Sequence, residues 1–424
     1  MSREMKDSGI EWIGEIPKEW KIRNIDSCYR LRNKKVSDKE YQPLSVTKNG
    51  VVPQLETAAK TDAHDDRKLV KENDFVINSR SDRRGSCGIS KYDGSVSLIN
   101  TVLESRFNSY SPYYDWLFHT IQFGDEFYKW GHGIVDDLWT TNWNDMRKIS
   151  IPYPSKEEQT RIADYLDSKC SQIDSLVSNI EAQISKLDEY RQVLITQAVT
   201  KGLDPNAEMK DSGVEWIGEI PKGWEVTKFK RIAHISPNLV DPRDHQDVNQ
   251  IGPDSIEKNT GRITINRNVA DSGVNSSNHL FHKGMILYSK IRPELNKATI
   301  APFDGLCSAD MYPIICSINE RFLLFSILSK PFLEQAKNVS QMRVKMPKVN
   351  QEEIDEFYIT LPPLEEQNVI SNSINKMIKT IDDLIDKKNS EIERCIQYKK
   401  SLIFDFVTGK KEVPTDFRKE HSHD

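Results

Sequence analysis

The chain has 424 residues, 29% of them charged and 37% hydrophobic, with a formal net charge of −5 at pH 7. At roughly 100 to 200 residues per domain this length gives room for two or three cores, and the near-balanced charge excludes a histone-like polycation while leaving a local basic groove open. Residues 1–9 lack an apolar leader core and no stretch approaches the roughly 20 apolar residues of a membrane span, so the expectation is a cytoplasmic protein with no membrane partner.

In chain order, the first element is a sixteen-residue opener, residues 5–20 (MKDSGIEWIGEIPKEW), and it returns as residues 209–224 (MKDSGVEWIGEIPKGW) with changes only at Ile10/Val214 and Glu19/Gly223. A second pair, IPYPSKEEQ at 151–159 and ITLPPLEEQ at 359–367, gives the same spacing. The repeat of about 205 residues is far longer than the roughly 20 to 50 residues of solenoid and propeller units. It is a domain-sized module present twice, a pseudo-twofold plan that suits a ligand with two equivalent halves.

Between the opener and the first proline-rich motif lie short apolar runs broken by turn signals. FVINSR (75–80), GSVSLI (94–99) and the GIS before it read as strands, and SPYYDWLFHTIQFGDEFYKWGHG (111–133) reads as helix, so this region is mixed α/β. Pro152 and Pro154 then forbid helix, whereas Ser155 offers an N-cap with Glu158 three residues on. A long helix is expected from there. Its apolar comb runs Leu166, Cys170, Ile173, Val177, Ile180, Ile184, Leu187, Leu194 and Ala198, interrupted at Arg191. The second copy carries Ile374, Ile378, Ile381, Ile385, Lys388, Ile392, Cys395, Lys399, Leu402 and Phe406 at the same spacing. Such sustained a/d repeats flanked by Glu and Lys predict two helices of about 40 residues that pair as a coiled coil. Each should end at VTKG or VTGK, after Val199 and Val407, where glycine stops it. Residues 225–358 repeat the plan of the first α/β region in a different sequence: 281–314 follows the order of 69–96, with an apolar strand, a Ser and basic cluster, a strand, and an Asp-Gly turn.

Cys28, Cys87, Cys170, Cys307, Cys316 and Cys395 form no C-x-x-C and have no companion His at ligand spacing, so they read as reduced core or surface thiols. His279 and His282 read as loop histidines, and the terminal HSHD as a frayed tail. The phosphate loop, the G-x-G-x-x-G turn, H-E-x-x-H, G-x-S-x-G and the Asn/Asp-Pro-Pro-aromatic tetrapeptide of amino-methyltransferases are missing; Pro362-Pro363 follows Leu361 and heads a helix instead. No catalytic constellation stands out, and no metal site is expected.

The informative clusters are basic and polar and follow a strand: Asn78, Ser79, Arg80, Arg83 and Arg84 in the first half, then Ser289, Lys290, Arg292, Asn296 and Lys297 in the second. Further along come Arg147 and Lys148, and then Arg343, Lys345 and Lys348. These residue types contact phosphates and read base edges, Arg bidentate to guanine and Asn bidentate to adenine. Taken alone, each such cluster reads more readily as a solvated loop. Recurrence in both halves favours nucleic-acid contact.

The two openers, the P-x-x-E-E-Q motifs at 154–159 and 362–367, and the helix ends ITQAVTKGLDP and IFDFVTGKKEV together resemble the specificity (S) subunits of type I restriction-modification systems, over the whole chain. The resemblance implies an α+β fold with two mixed α/β target-recognition domains in pseudo-twofold arrangement, separated by two long antiparallel coiled-coil helices. Its segments would be a conserved opener at 1–20, recognition domain 1 at 21–150, a central helix at 151–203, the repeated opener at 204–224, recognition domain 2 at 225–358, a C-terminal helix at 359–412 and a tail at 413–424. It further implies that each domain reads one half of a bipartite, asymmetric site in double-stranded DNA, that the helices set the spacer and dock two methyltransferase (M) subunits, and that the chain has no catalysis or cofactor of its own. S-adenosylmethionine would come with the M subunits of an adenine-N6 methyltransferase, and ATP and Mg2+ with restriction (R) subunits. The rival readings are a structural coiled-coil adaptor without DNA contact and a self-contained modification enzyme, which would need the missing cofactor motifs.

Overall fold

A computed structural model describes residues 3–54, 65–80, 83–106, 109–133, 139–341, 343, 347–415 and 417. It forms two compact units: Met1–Asn179 with Ser390–Asp424, and Ile180–Asn389.

In the first unit the opener is a small hairpin, Met5–Asp7 against Glu15–Pro17, and Lys21–Asn24 pairs antiparallel with Ser150–Tyr153. The central sheet has four antiparallel strands in the order Cys87–Ile89, Phe75–Asn78, Asn100–Ser105, Tyr29–Leu31. The apolar run FVIN is buried throughout because both of its faces are covered. Alternation along the strand sends Phe75 and Ile77 into the main core, where Phe75 lies 4.9 Å from Phe118 ring to ring, and sends Val76 to a second core with Val70, Val96 and Val102. That second core belongs to a three-stranded sheet of Gly94–Ser97, Arg67–Val70 and Lys35–Val36.

The expected single helix over 111–133 is two helices, Ser111–Phe118 and Ile121–Lys129. The break lies at His119 and Thr120, where the Thr120 hydroxyl accepts the Phe123 N–H as an N-cap and restarts the chain in a new direction. Phe118 and Phe123, one on each side of the break, meet at 4.5 Å in the core.

The second unit repeats this order strand for strand. The hairpin is Met209–Asp211 with Glu219–Pro221, Glu225–Lys228 pairs with Tyr358–Leu361, and the central sheet runs Ala298–Ile300, Ile286–Ser289, Met311–Cys316, Ala233–Ile235. Ile286 and Tyr288 face one core and Leu287 another, the same division as in FVIN. The companion sheet is enlarged to five strands by Asn249–Ile251, which runs parallel to Gly305–Cys307, and by Arg267–Asn268. In the first unit the corresponding approach is a single parallel bridge, Pro43 to Ser95. Glycine is required at both crossings: a Cβ on Gly94 would lie 2.6 Å from the Gln42 carbonyl oxygen, and one on Gly305 2.4 Å from that of Asn249. His279 departs from its expected loop placement. It lies in the strand Asn278–Phe281 and is buried, because strand alternation puts it on the same side as Phe281, while His282 after the strand is exposed and faces Asp304.

The long helices are Lys156–Lys201 and Leu364–Val407, stopped by Gly202 and Gly409 in the left-handed region. They pair antiparallel within each unit. In the first, Tyr165 stacks on Phe406 at 4.7 Å and Lys399 Nζ lies 2.6 Å from Asp174 Oδ1; in the second, Lys388 donates to Gln183 and Arg191 to Asp382. The comb residues are buried or half-buried. Arg191 does not break the comb, since its side chain is enclosed and its charge is met across the seam.

The proline-rich motifs acquire a role in the fold. Glu158 accepts the Trp20 indole N–H at 2.7 Å and Glu366 that of Trp224 at 2.9 Å. Gln159 accepts the Tyr110 N–H and donates to the Pro154 carbonyl; Gln367 does the same with Asn319 and Pro362. Each motif thus ties a helix start to its own α/β domain.

Candidate nucleic-acid interface

The basic clusters occupy the same loop in both units. After the buried central strand the chain leaves the sheet and is caught by a segment from far along the sequence: the Thr141 N–H donates to the Ser79 carbonyl and Arg80 bridges Thr140, while the Val349 N–H donates to the Lys290 carbonyl and Ile291 bridges Lys348. The backbone pairing equates Asn78 with Ser289, Ser79 with Lys290 and Arg80 with Ile291. The scaffold is common to both loops and the side chains on it differ.

Several of the singled-out residues are turned inward. Asn78 accepts the Arg80 N–H and Ser79 shares a hydrogen bond with Thr101, both buried; Ser289 is buried and donates to the Ile291 carbonyl. Asn296 is 1% exposed and donates to the Leu328 carbonyl. Lys297 reaches the Pro253 carbonyl at 2.6 Å. Arg343 forks onto both Glu353 oxygens, at 2.6 and 3.1 Å, and its guanidinium also meets the Lys348 carbonyl at 2.6 Å. In turn the Arg343 hydrogen bonds hold the Glu353 carboxyl below the usual carboxylate range.

Other basic residues are displayed. Arg83 and Arg84 are exposed, Arg84 paired with Asp125 at 3.2 Å and lying 5.1 Å over the Tyr128 ring. Arg147 and Lys148 are exposed some way along, next to Asp145 in the case of Lys148. In the second unit Arg292 and Lys348 are exposed, and Lys290 lies half-buried with its ammonium 5.2 Å over Tyr312. Lys345 lies outside the described residues. The Glu353 clamp on Arg343 was not singled out from sequence, although Asn350 with Glu353 spells the N-x-x-E capping box that the short helix Gln351–Asp355 uses. Asp125 and Tyr128, which hold Arg84, carry no comparable local signal.

Among the described residues no group of three or more His, Cys, Asp and Glu is placed to hold a metal ion, and no helix is long and apolar enough to cross a membrane. The cysteines are unpaired; burial pushes the Cys307 thiol up to about 12 and those of Cys28 and Cys170 to about 11.

The family described as Type I restriction modification DNA specificity domain matches the chain twice, at residues 17–186 and 221–394. The chain belongs to this family. It is 29% identical to the type I restriction enzyme EcoDI specificity subunit of Escherichia coli over 362 residues, covering 80% of this chain and 78% of that protein. It is 27% identical to the putative type I restriction enzyme MjaX specificity subunit of Methanocaldococcus jannaschii, covering 95% and 96%. Among solved structures, a chain from work on the complex assembly and conformational transition of the type I R-M system shares the fold, with a TM-score of 0.69 at 12% identity over 93% of this chain and 99% of that one. Each family match contains one four-stranded sheet and its basic strand-exit loop.

Proposed function

We propose that this chain is the DNA-reading subunit of a type I restriction-modification complex, each unit's α/β domain reading one half of a bipartite, asymmetric site. The observation that carries this is the duplicated strand-exit loop, one scaffold with different basic side chains, inside each of two family-matched segments. A shared scaffold explains two half-sites and differing side chains explain their asymmetry. Arg80, Arg83 and Arg84 in one domain and Lys290, Arg292 and Lys348 in the other contact DNA. Asn78, Ser79, Ser289, Asn296, Lys297 and Arg343 hold the loops that carry them.

The chain performs no bond-making step in this reading. Two methyltransferase subunits dock on the exposed helix faces and bring S-adenosylmethionine for adenine-N6 methylation, and restriction subunits bring ATP and Mg2+. The helix pair sets the spacer. The complex works in the cytoplasm, where the DNA of a microbe lies. Selection of bound duplexes from a randomised library by the full chain, co-purified with its methyltransferase subunits, tests this. Two short conserved blocks at a fixed, base-independent spacing are expected; a single block, or no enrichment, overturns the reading.

A further inference from the structure

In the second unit one exposed arginine sits on a turn whose backbone is hydrogen-bonded on both sides. Arg292 has φ 47° and ψ 59°, a left-handed conformation that few non-glycine residues adopt and that costs free energy wherever it occurs. Both a local turn and a distant segment hold it there. Its N–H donates to the Pro347 carbonyl at 2.9 Å, its own carbonyl accepts the Leu295 N–H at 2.9 Å, and buried Pro293 follows it. Two residues earlier the Lys290 carbonyl accepts the Val349 N–H at 2.9 Å. Yet the side chain that this backbone carries is exposed, and among the described residues its guanidinium has no hydrogen-bond or ion-pair partner. A fixed backbone under an unengaged fork of five donors is what bidentate recognition of a planar ligand edge needs.

The segment holding Arg292 is itself fixed from behind. Arg343 forks onto Glu353 and gives a hydrogen bond to the carbonyl of Lys348, the residue next to Pro347 and the bridge partner of Ile291. Glu353 is pinned in turn by the Asn350 N–H at 2.7 Å. Arg343 therefore has no fork left for DNA, and its load is carried to the Arg292 turn.

We propose that Arg292 is a base-reading side chain of the second recognition domain, selecting guanine through its O6 and N7 edge, and that Arg343 is a positioning residue that holds the turn from which Arg292 projects. Guanine follows from the chemistry of the fork, which pairs with two acceptors on one major-groove edge. This inference rests on the bipartite DNA reading above, and the two fail separately.

The test is selection from a randomised duplex library by the full chain in its complex, with Arg292→Ala, Arg292→Gly, Arg343→Ala and wild type in parallel. Glycine suits the left-handed turn, so Arg292→Gly keeps the fold while removing the fork. If wild type enriches no bipartite sequence, the underlying reading falls. Given two blocks, both Arg292 variants should lose preference at one G·C pair of one block, by about fivefold to a hundredfold, with the other block unchanged. Arg343→Ala should relax that same pair while leaving the salt dependence of binding at its wild-type slope. Unchanged blocks in both Arg292 variants, or an equal loss across all sequences, overturn the base-reading role. An Arg343→Ala slope reduced by about one, the mark of a lost phosphate contact, overturns its positioning role.

Discussion

Lys399 Nζ lies 2.6 Å from Asp174 Oδ1 in the first unit, and the same two positions of the repeat, exchanged between helices, are Arg191 and Asp382 in the second. Burial separates the two pairs. The Arg191 side chain is 3% exposed and also meets Asp188, whereas Asp174 is 61% exposed. Desolvation at the seam raises the Asp382 carboxyl above its usual range despite Arg191 and Arg262 nearby.

Arg191→Ala should therefore lower stability by about 3 kcal/mol, because it leaves a partly buried carboxylate with only the more distant Arg262, at 3.7 Å, as a partner. Lys399→Ala should cost under about 1 kcal/mol, as exposed pairs do. Urea unfolding of the full-length variants reads the difference; equal losses would mean that burial does not set the worth of these pairs.

Gln159→Glu and Gln367→Glu should each destabilise by roughly 1 to 3 kcal/mol. Each replaces an amide that donates to a proline carbonyl with a carboxylate that repels it, in a site that is fully or nearly fully buried. A thermal melt unchanged from wild type would show that these ties do not hold the domains to the helix starts.

Acid should release the Arg343 clamp late. Glu353 titrates below its ordinary value of 4.5 in the folded chain, chiefly through its hydrogen bonds with Arg343. A carboxyl lowered on folding contributes stability above its unfolded value and loses it as pH falls through the folded one. Glu353→Gln should then be less stable than wild type at pH 7, with the gap closing below about pH 4. A gap independent of pH from 7 to 3 would disprove the linkage.

Exchange of residues 21–150 for the matching region of a relative should change one block of the recognised DNA and leave the other, since each four-stranded sheet closes on strands of its own segment. Bound duplexes in which both blocks have changed would show that the domains do not read independently.

The spacer should follow helix length. Thr200 is a poor place to test this, being buried beside the Val199 carbonyl that accepts the Thr360 hydroxyl. One heptad added after Asn179 together with one after Asn389 keeps the comb in register and adds about 10 Å of helix, close to three base-pair steps. Selected duplexes with the original spacing, bound by an intact complex, would dissociate helix length from spacer length.

The duplication, the two long helices and the central strands were legible in the sequence because each is written in local periodicity: a repeated opener, a 3-4 comb, the apolar run FVIN between turn signals. The start of the first long helix was legible too, since the Ser155 hydroxyl accepts the Glu158 N–H three residues on. The break at Thr120 was missed because a hydroxyl N-cap inside an apolar helical pattern looks like any other threonine until the two helices fold back on Phe118 and Phe123. Residue type drew attention to Asn78, Ser289, Asn296 and Arg343 alongside Arg84 and Arg292, and type alone could not sort them. Tertiary structure sorted them: Asn296 and Arg343 satisfy the carbonyls of Leu328 and Lys348, which the fold brings within hydrogen-bond reach, Asn78 and Ser289 turn back onto backbone groups two residues along, and Arg84 and Arg292 stand in solvent.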